Sequence, residues 1–263
     1  MERFRVKKQY DLLDLVSIVR LLRDPDEGCP WDKVQTHKSI RQNFIEETYE
    51  AVEAIDNDDK ELLKEELGDV LLQVALHAEI ERQEGSFDID NVADSICKKL
   101  VLRHPHIFGD AYADSEDKVL ANWEDIKREE KNQKSGADSV KDVPKALPSL
   151  MRSQKVQKRA GYVGFDYPDI DSAVLDLESE VEELKTAIGT GVNVKEEVGD
   201  VIFSAVNVAR LSGLDAELSA TESCEKFIRR FIIVEELAKS QGIDMKTCGI
   251  DVLNELWEKS KKN

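Results

Sequence analysis

One carboxylate pattern occurs twice in this chain and constrains its fold more than any other feature. Glu47-Thr48-Tyr49-Glu50 is followed by Glu66-Leu67-Gly68-Asp69, and Glu180-Val181-Glu182-Glu183 by Glu197-Val198-Gly199-Asp200. Each copy reads E-x-x-E, then E-x-G-D. On a helix, positions i and i+3 share a face. Two neighbouring helices can therefore aim four acids at one point. Four crowded carboxylates repel, and burying them is costly unless another charge cancels theirs. A hard divalent cation does this most simply, and Mg²⁺ prefers oxygen ligands.

The repetition extends beyond the acids. Lys99 and Arg103 match Lys226 and Arg230 as K-x-x-x-R, and Trp123 and Lys127 match Trp257 and Lys261 as W-E-x-x-K. The offsets are nearly constant: 133 between Glu47 and Glu180 (180 − 47), 131 between Asp69 and Asp200 (200 − 69), and 127 between Lys99 and Lys226 (226 − 99). A single E-x-x-E is common on solvated helix faces, but three motifs in one order at one offset argue for a duplicated unit. The period is far longer than a solenoid repeat, so whole domains are duplicated.

Length agrees, since 263 residues make on the order of two average domains. Hydrophobic residues at 41% suffice for two modest cores. Helical periodicity predicts helices over 10–22, 40–55, 61–82, 89–103 and 118–131, then over 150–160, 171–188, 194–212, 215–240 and 250–261. Ile40, Phe44, Val52 and Ile55 are expected to face inward in the second helix, and Leu62, Leu63, Leu67, Val70, Leu71, Val74 and Ala75 to share a face in the third. Asp88 or Asp90 is the expected cap of the fourth, which should end near His104 because Pro105 follows. Gly242 sits where a helix C-cap would. Strand-like alternation is absent. The expected fold is all-α: two tandem helical bundles, 1–131 and 149–263. A polar stretch over 132–148, holding Gly136, Pro144 and Pro148, reads as the linker between them.

Charge narrows the partners. A net charge of −18 disfavours binding to nucleic acid or anionic membrane. No apolar run approaches the ~20 residues of a membrane span, and the charged N-terminus lacks the apolar core of a signal peptide. Four scattered cysteines without a CxxC pair suit reduced thiols and a cytoplasmic setting.

In an acidic chain, K-x-x-x-R pairs suit phosphate oxygens, with Arg as the bidentate fork. Surface ion pairing is the plainer alternative for any one pair. Trp123 and Trp257 would stack on a base or plug a core. No P-loop, GxGxxG, HExxH or GxSxG string is present, so phosphate handling must rest on a metal and on side-chain cations. His104-Pro105-His106 has no ligand cluster to complete a zinc site and reads as a turn. Gly68 and Gly199 suit either close packing or ligand approach. With no His among the acids, Mg²⁺ or Mn²⁺ is favoured over iron. A regulatory nucleotide-binding protein and a metal-buffering scaffold are the rival classes; the basic repeats argue against the buffer.

The strings GCPWDKVQT, EETYEAVEAI, EELGDVLLQVALHA, RHPHIF and EEVGDVIFSAVNVAR resemble the MazG family of nucleoside triphosphate pyrophosphohydrolases over nearly the whole chain. The resemblance implies two tandem MazG-like domains and Mg²⁺-dependent cleavage of nucleoside triphosphates between the α and β phosphates, giving a monophosphate and pyrophosphate. It also implies a homodimer with helices of both subunits around each site. The implied metal ligands are Glu47, Glu50, Glu66 and Asp69 in the first unit and Glu180, Glu183, Glu197 and Asp200 in the second. Lys226, Arg230, Trp257 and Lys261 take the family's triphosphate-contacting positions, with Lys99, Arg103, Trp123 and Lys127 as their first-unit counterparts. Glu180, Glu183, Lys226, Arg230 and Lys261 are the expected catalytic set. Cys224 stands where members often carry Asn. Glu46 precedes Glu47 whereas Ser179 precedes Glu180, so the two units are not equivalent. Lys158 and Arg159, upstream of Gly164-Phe165-Asp166, are further candidate cations.

Overall fold

A computed structural model describes residues 5–109, 115, 118, 119, 123, 126, 130 and 135–262. The chain divides into two compact units, Met1–Lys127 and Arg128–Asn263. The described residues form helices and no strand.

The first unit contains α1 (Leu12–Leu22), α2 (Arg41–Asp56), α3 (Lys60–Glu84), α4 (Ile89–Arg103) and a single turn, α5 (Pro105–Phe108). Local chemistry sets the boundaries. Asp11 opens α1 in a capping box with Asp14. The Asp59 carboxylate accepts from the Glu61 and Leu62 amides at the start of α3, and Gly85, at φ 77°, ends it in the left-handed conformation. Asp88, not Asp90, caps α4. Three residues separate α2 from α3, so the two lie side by side as a hairpin, the closest-packed pair of this unit.

Val19, Ile40, Ala75, Leu76 and Ile80 form the buried core, with Leu15 and Leu72 packed against it. Arg23 is buried and ties the irregular segment before α2 to α3: its guanidinium donates to the Gln83 side chain and to the carbonyls of Asp32 and Gln35. These bonds satisfy a charged group that would otherwise be stranded inside.

The second unit contains α6 (Gly136–Lys141), α7 (Ser149–Gly161), α8 (Ile170–Thr190), α9 (Val194–Leu211), α10 (Ala216–Ser240) and α11 (Ile250–Ser260). Its closest-packed pair, α8 and α9, corresponds to α2 and α3. α7 packs on α6, α9 and α10, and α10 packs on α11 around Val234, Ala238 and Leu256. Gly242, at φ 67°, follows α10 as expected, with the Ile243 amide closing back on the Ala238 carbonyl.

The structure differs from the sequence reading in two places. Part of the stretch expected to be linker is folded into the second unit. Ser135 caps α6, Val143 is buried, and the buried Arg159 guanidinium donates to the Ser139 carbonyl. Arg159 is therefore a structural tie and not a free cation. Secondly, the stripe expected to face inward is split. Ile40 is buried, but Val52, Ile55, Leu67 and Leu71 are exposed. The second unit repeats this, exposing Leu175, Ile188, Val198 and Ile202 on α8 and α9, and Phe227, Ile228, Phe231 and Ile232 on α10. Each helix hairpin buries one face within its own unit and leaves apolar side chains of another face exposed. The predicted helix over 118–131 falls largely outside the described residues; Lys118, Val119, Trp123, Ile126 and Glu130 are helical.

Core and surface positions on neighbouring helices should respond differently. Ile40→Ala is expected to cost roughly 2–5 kcal/mol in chemical denaturation. Leu13→Ala, at a site 73% exposed, is expected to stay within about 0.5 kcal/mol.

Candidate active site

The repeated acids meet where each hairpin pairs its two helices. In the first unit, carboxylate oxygens of Glu47 on α2 and of Glu66 and Asp69 on α3 all lie within 4.8 Å of one another. In the second, those of Glu180 and Glu183 on α8 and Glu197 on α9 do the same. The fourth acid stands close in both. Glu50 acts electrostatically on Glu47 and Glu66, and Asp200 on Glu180 and Glu197. All eight predicted metal ligands thus fall in two clusters, with Glu50 and Asp200 at the margins.

The environment opposes ionisation. Burial, and then the neighbouring acids, push the carboxyl groups of Glu47, Glu66, Glu180 and Glu197 above the ordinary glutamate range. Among the described residues, every charge acting on these four groups is another acid. None of Lys226, Arg230 or Lys261 is among them. An all-oxygen, all-anionic donor set confined to a few ångströms fits a hard divalent cation such as Mg²⁺ or Mn²⁺. Gly68 and Gly199 are open here: no described atom lies within 4 Å of where a Cβ would sit. Close packing therefore does not explain them within a unit, and each leaves room beside the acids.

The predicted cations form a second constellation on the later helices. The Arg230 guanidinium lies over the Trp257 ring, 5.8 Å from its centroid, and Phe227 packs against the same ring at 5.2 Å. The first unit repeats the arrangement, with Arg103 over Trp123 at 5.2 Å. Arg–Trp stacking orients the guanidinium fork. Lys226 and Lys99 are exposed, and Lys261 pairs with Glu258 on its own helix. Lys127 lies outside the described residues. His104 packs edge-on against Trp123 and bonds the Leu100 carbonyl, a structural role.

Three features escaped sequence reasoning. Asp176, one turn before Glu180, accepts from the Ser204 hydroxyl at 2.8 Å and bonds Tyr167, whose pKa is pushed up to about 12 by burial and by this acid. The D-x-x-x-E spacing was the available signal. His37, stacked on His77 at 4.9 Å, bonds Glu81 at 2.8 Å, and only tertiary structure joins them. The third is Gln157, buried on α7.

A family model for the MazG nucleotide pyrophosphohydrolase domain matches residues 35–108 and 169–231, once in each unit. The chain belongs to the MazG family. It is 40% identical over 252 residues to the nucleoside triphosphate pyrophosphohydrolase of Escherichia coli strain K12, covering 94% of this chain and 96% of that one. It is 42% identical over 248 residues to the nucleoside triphosphate pyrophosphohydrolase/pyrophosphatase MazG of Thermotoga maritima, covering 94% of each. An uncharacterised Bacillus subtilis protein, YabN, is 45% identical over 249 residues, which make up 50% of its length. Both acid clusters fall inside the matched segments of this MazG-family chain.

Raised carboxyl pKa values in the folded state mean that the native protein binds protons more readily than the unfolded one. Its metal-free stability should therefore rise as pH falls from 7 towards the unfolded carboxyl range near 4. Millimolar Mg²⁺ should raise Tm at pH 7 and do so less at pH 5, where protons compete for the same oxygens. Thermal melts at both pH values, with and without Mg²⁺, check this. The Asp166–Arg210 pair has the opposite sign. Arg210 holds the Asp166 carboxyl below the ordinary range, so its contribution persists down to about pH 4 and is lost below it.

Proposed function

We propose that this chain hydrolyses nucleoside triphosphates between the α and β phosphates, releasing a nucleoside monophosphate and pyrophosphate, and that the reaction depends on Mg²⁺. Membership of the MazG family supports the substrate class, and the names of the two relatives above agree with it. The observation that carries the metal dependence is the three-carboxylate cluster in each helix hairpin, on which only other acids act among the described residues.

Glu180, Glu183, Glu197 and Asp200 would hold the metal, with Mn²⁺ as a substitute. When bound, it supplies charge neutralisation at the reacting phosphate. A carboxylate of the same cluster polarises the attacking water as general base. Arg230, pre-oriented on Trp257, and the two lysines, Lys226 and Lys261, steady the charge that develops on the departing pyrophosphate. The first unit repeats the acids and the Arg–Trp pair, so it can bind the same class of ligand.

The protein acts as a homodimer in this reading. Its hairpins expose apolar side chains of a kind that monomers rarely leave in water over a wide area. A partner's α10 and α11 would bring cations to these acids. Four free cysteines fit a reduced, cytoplasmic setting. No described helix is long and apolar enough to cross a membrane.

Glu183→Ala and Asp200→Ala should each lower kcat by at least ~100-fold, the scale of losing one preorganised electrostatic group, with the far-ultraviolet helical signal unchanged. A coupled assay should find pyrophosphate. Orthophosphate as the first product would rule out α–β cleavage, and near-wild-type turnover in both variants would move the chemistry away from the second unit.

A further inference from the structure

Two of the four histidines meet in the first unit, far from the acids. His37 lies in the irregular segment that enters α2, and His77 lies on α3. Their Nδ1 atoms are 2.6 Å apart, with ring planes parallel to within 4°. This is an N–H···N hydrogen bond. A metal does not fit between the rings, because two nitrogens on one tetrahedral zinc ion stand roughly 3.3 Å apart. Through its Nε2, His37 also bonds Glu81 at 2.8 Å. Phe44, at the start of α2, packs on His77. His37, His77 and Glu81 are all half-buried, within reach of protons from solvent.

The network dictates where the protons sit. An ionised Glu81 only accepts, so His37 Nε2 carries a hydrogen. One proton then joins the two Nδ1 atoms, and it can belong to either ring. With both rings neutral, His77 donates it to His37. When a second proton enters at His77 Nε2, the shared one passes over: His37 becomes the cation beside Glu81 and donates to His77. Both forms keep every bond. A further proton puts an N–H on each Nδ1. Two donors and two positive charges then face each other, and the bond cannot persist.

The bond lies at a mechanical join. Arg23 ties the first part of the segment to Gln83 of α3 through contacts that do not titrate near neutral pH. His37 ties the last part, just before Ile40 enters the core. Other charges nearby are engaged or exposed. On α1, Arg20 pairs with Glu79 of α3, which also pairs with Arg82, and Asp88 at the start of α4 acts on Arg82. Lys38 and Arg41, at the entry to α2, are exposed. Asp69, the nearest acid of the first cluster along α3, is about two turns before His77.

We propose that Glu81, His37 and His77 form a proton-operated latch, which holds the end of this segment on α3 while one proton joins the rings and releases it when both rings are cationic. Burial and the charge of His37 hold His77 below the ordinary histidine range. The released segment therefore takes up the proton first, below about pH 6.5. The contribution of the latch is complete above that pH and is lost progressively below it. The second unit carries Ile170 and Val208 at the corresponding positions, 133 after His37 (170 − 37) and 131 after His77 (208 − 77), and neither titrates. The device belongs to the first unit alone.

Hydrogen exchange of the full-length protein, read peptide by peptide and corrected for the intrinsic pH dependence of exchange, tests this. The readout must be local, because the acid clusters move global stability the other way. The Gln35 and Ile40 amides bond the Asp32 and Thr36 carbonyls. In the wild type, opening of the peptide that holds them should increase about tenfold between pH 7.5 and 5.5. Peptides of α7, which contains no acid and no histidine, should not show this step. His77→Gln should abolish the step, whatever its protection at pH 7.5. Glu81→Gln should enlarge it, because the His37 cation loses its counter-ion and the closed form binds fewer protons. Equal protection of the wild type at both pH values would overturn the latch, and that comparison needs no variant. An equal rise in α7, or a step of wild-type size in His77→Gln, would overturn it as well.

Discussion

Carboxylates placed within 4.8 Å of one another repel, and two helix hairpins of this chain hold them there. The clusters cannot stabilise the fold, because burial and mutual repulsion push Glu47, Glu66, Glu180 and Glu197 towards their neutral forms. Stability comes from elsewhere in each unit: the apolar core of Val19, Ile40 and Leu76, and that of Val234, Ala238 and Leu256. Asp59 and Asp169 cap the second and first helices of the two hairpins, and Gly85 and Gly191 end those same helices. Caps, short turns and core together fix the register that brings i and i+3 acids of one helix against those of the next. The repulsion is thus imposed on the acids by the packing around them, as expected where a fold sets aside stability for a charged ligand.

The two units use one plan and fill it differently. Both stack an arginine on a tryptophan, and both carry three converging acids. The composition of the trio differs. Two acids come from α3 in the first unit and two from α8 in the second, so the marginal fourth acid is Glu50 in one and Asp200 in the other. Beyond the acids the divergence is larger. The positions that are leucines in the first core are Phe203 and Asn207, which line a cavity in the second. One unit closed its helix face against its own core, and the other left it open.

Much of this was legible in the sequence. The acid clusters follow from E-x-x-E and E-x-G-D, because helical spacing alone places such residues on one face. K-x-x-x-R and W-E-x-x-K recurring at one offset mark Arg103, Trp123, Arg230 and Trp257 as counterparts, but not that each arginine stacks on its tryptophan. Other features depend on tertiary contacts that no local pattern encodes. Periodicity marks Val52 and Ile55 as one stripe with Ile40, but it cannot tell a face that meets its own core from one that awaits another surface. The segment around α6 looked like a linker because its composition is polar; the buried Val143 and the Arg159 bond to Ser139 hold it in place. Gln157 gives no signal in sequence, since its environment comes from Phe203, which lies far along the chain.

The claim that each acid trio exists to hold a divalent cation is tested most directly by Mn²⁺ binding to the full-length, nucleotide-free protein, followed by electron paramagnetic resonance. The account predicts saturable binding in the wild type, with the sites of the second unit lost in the Glu180→Gln/Glu197→Gln double variant and those of the first retained. Binding that is unchanged in that variant, or absent from the wild type, would contradict it.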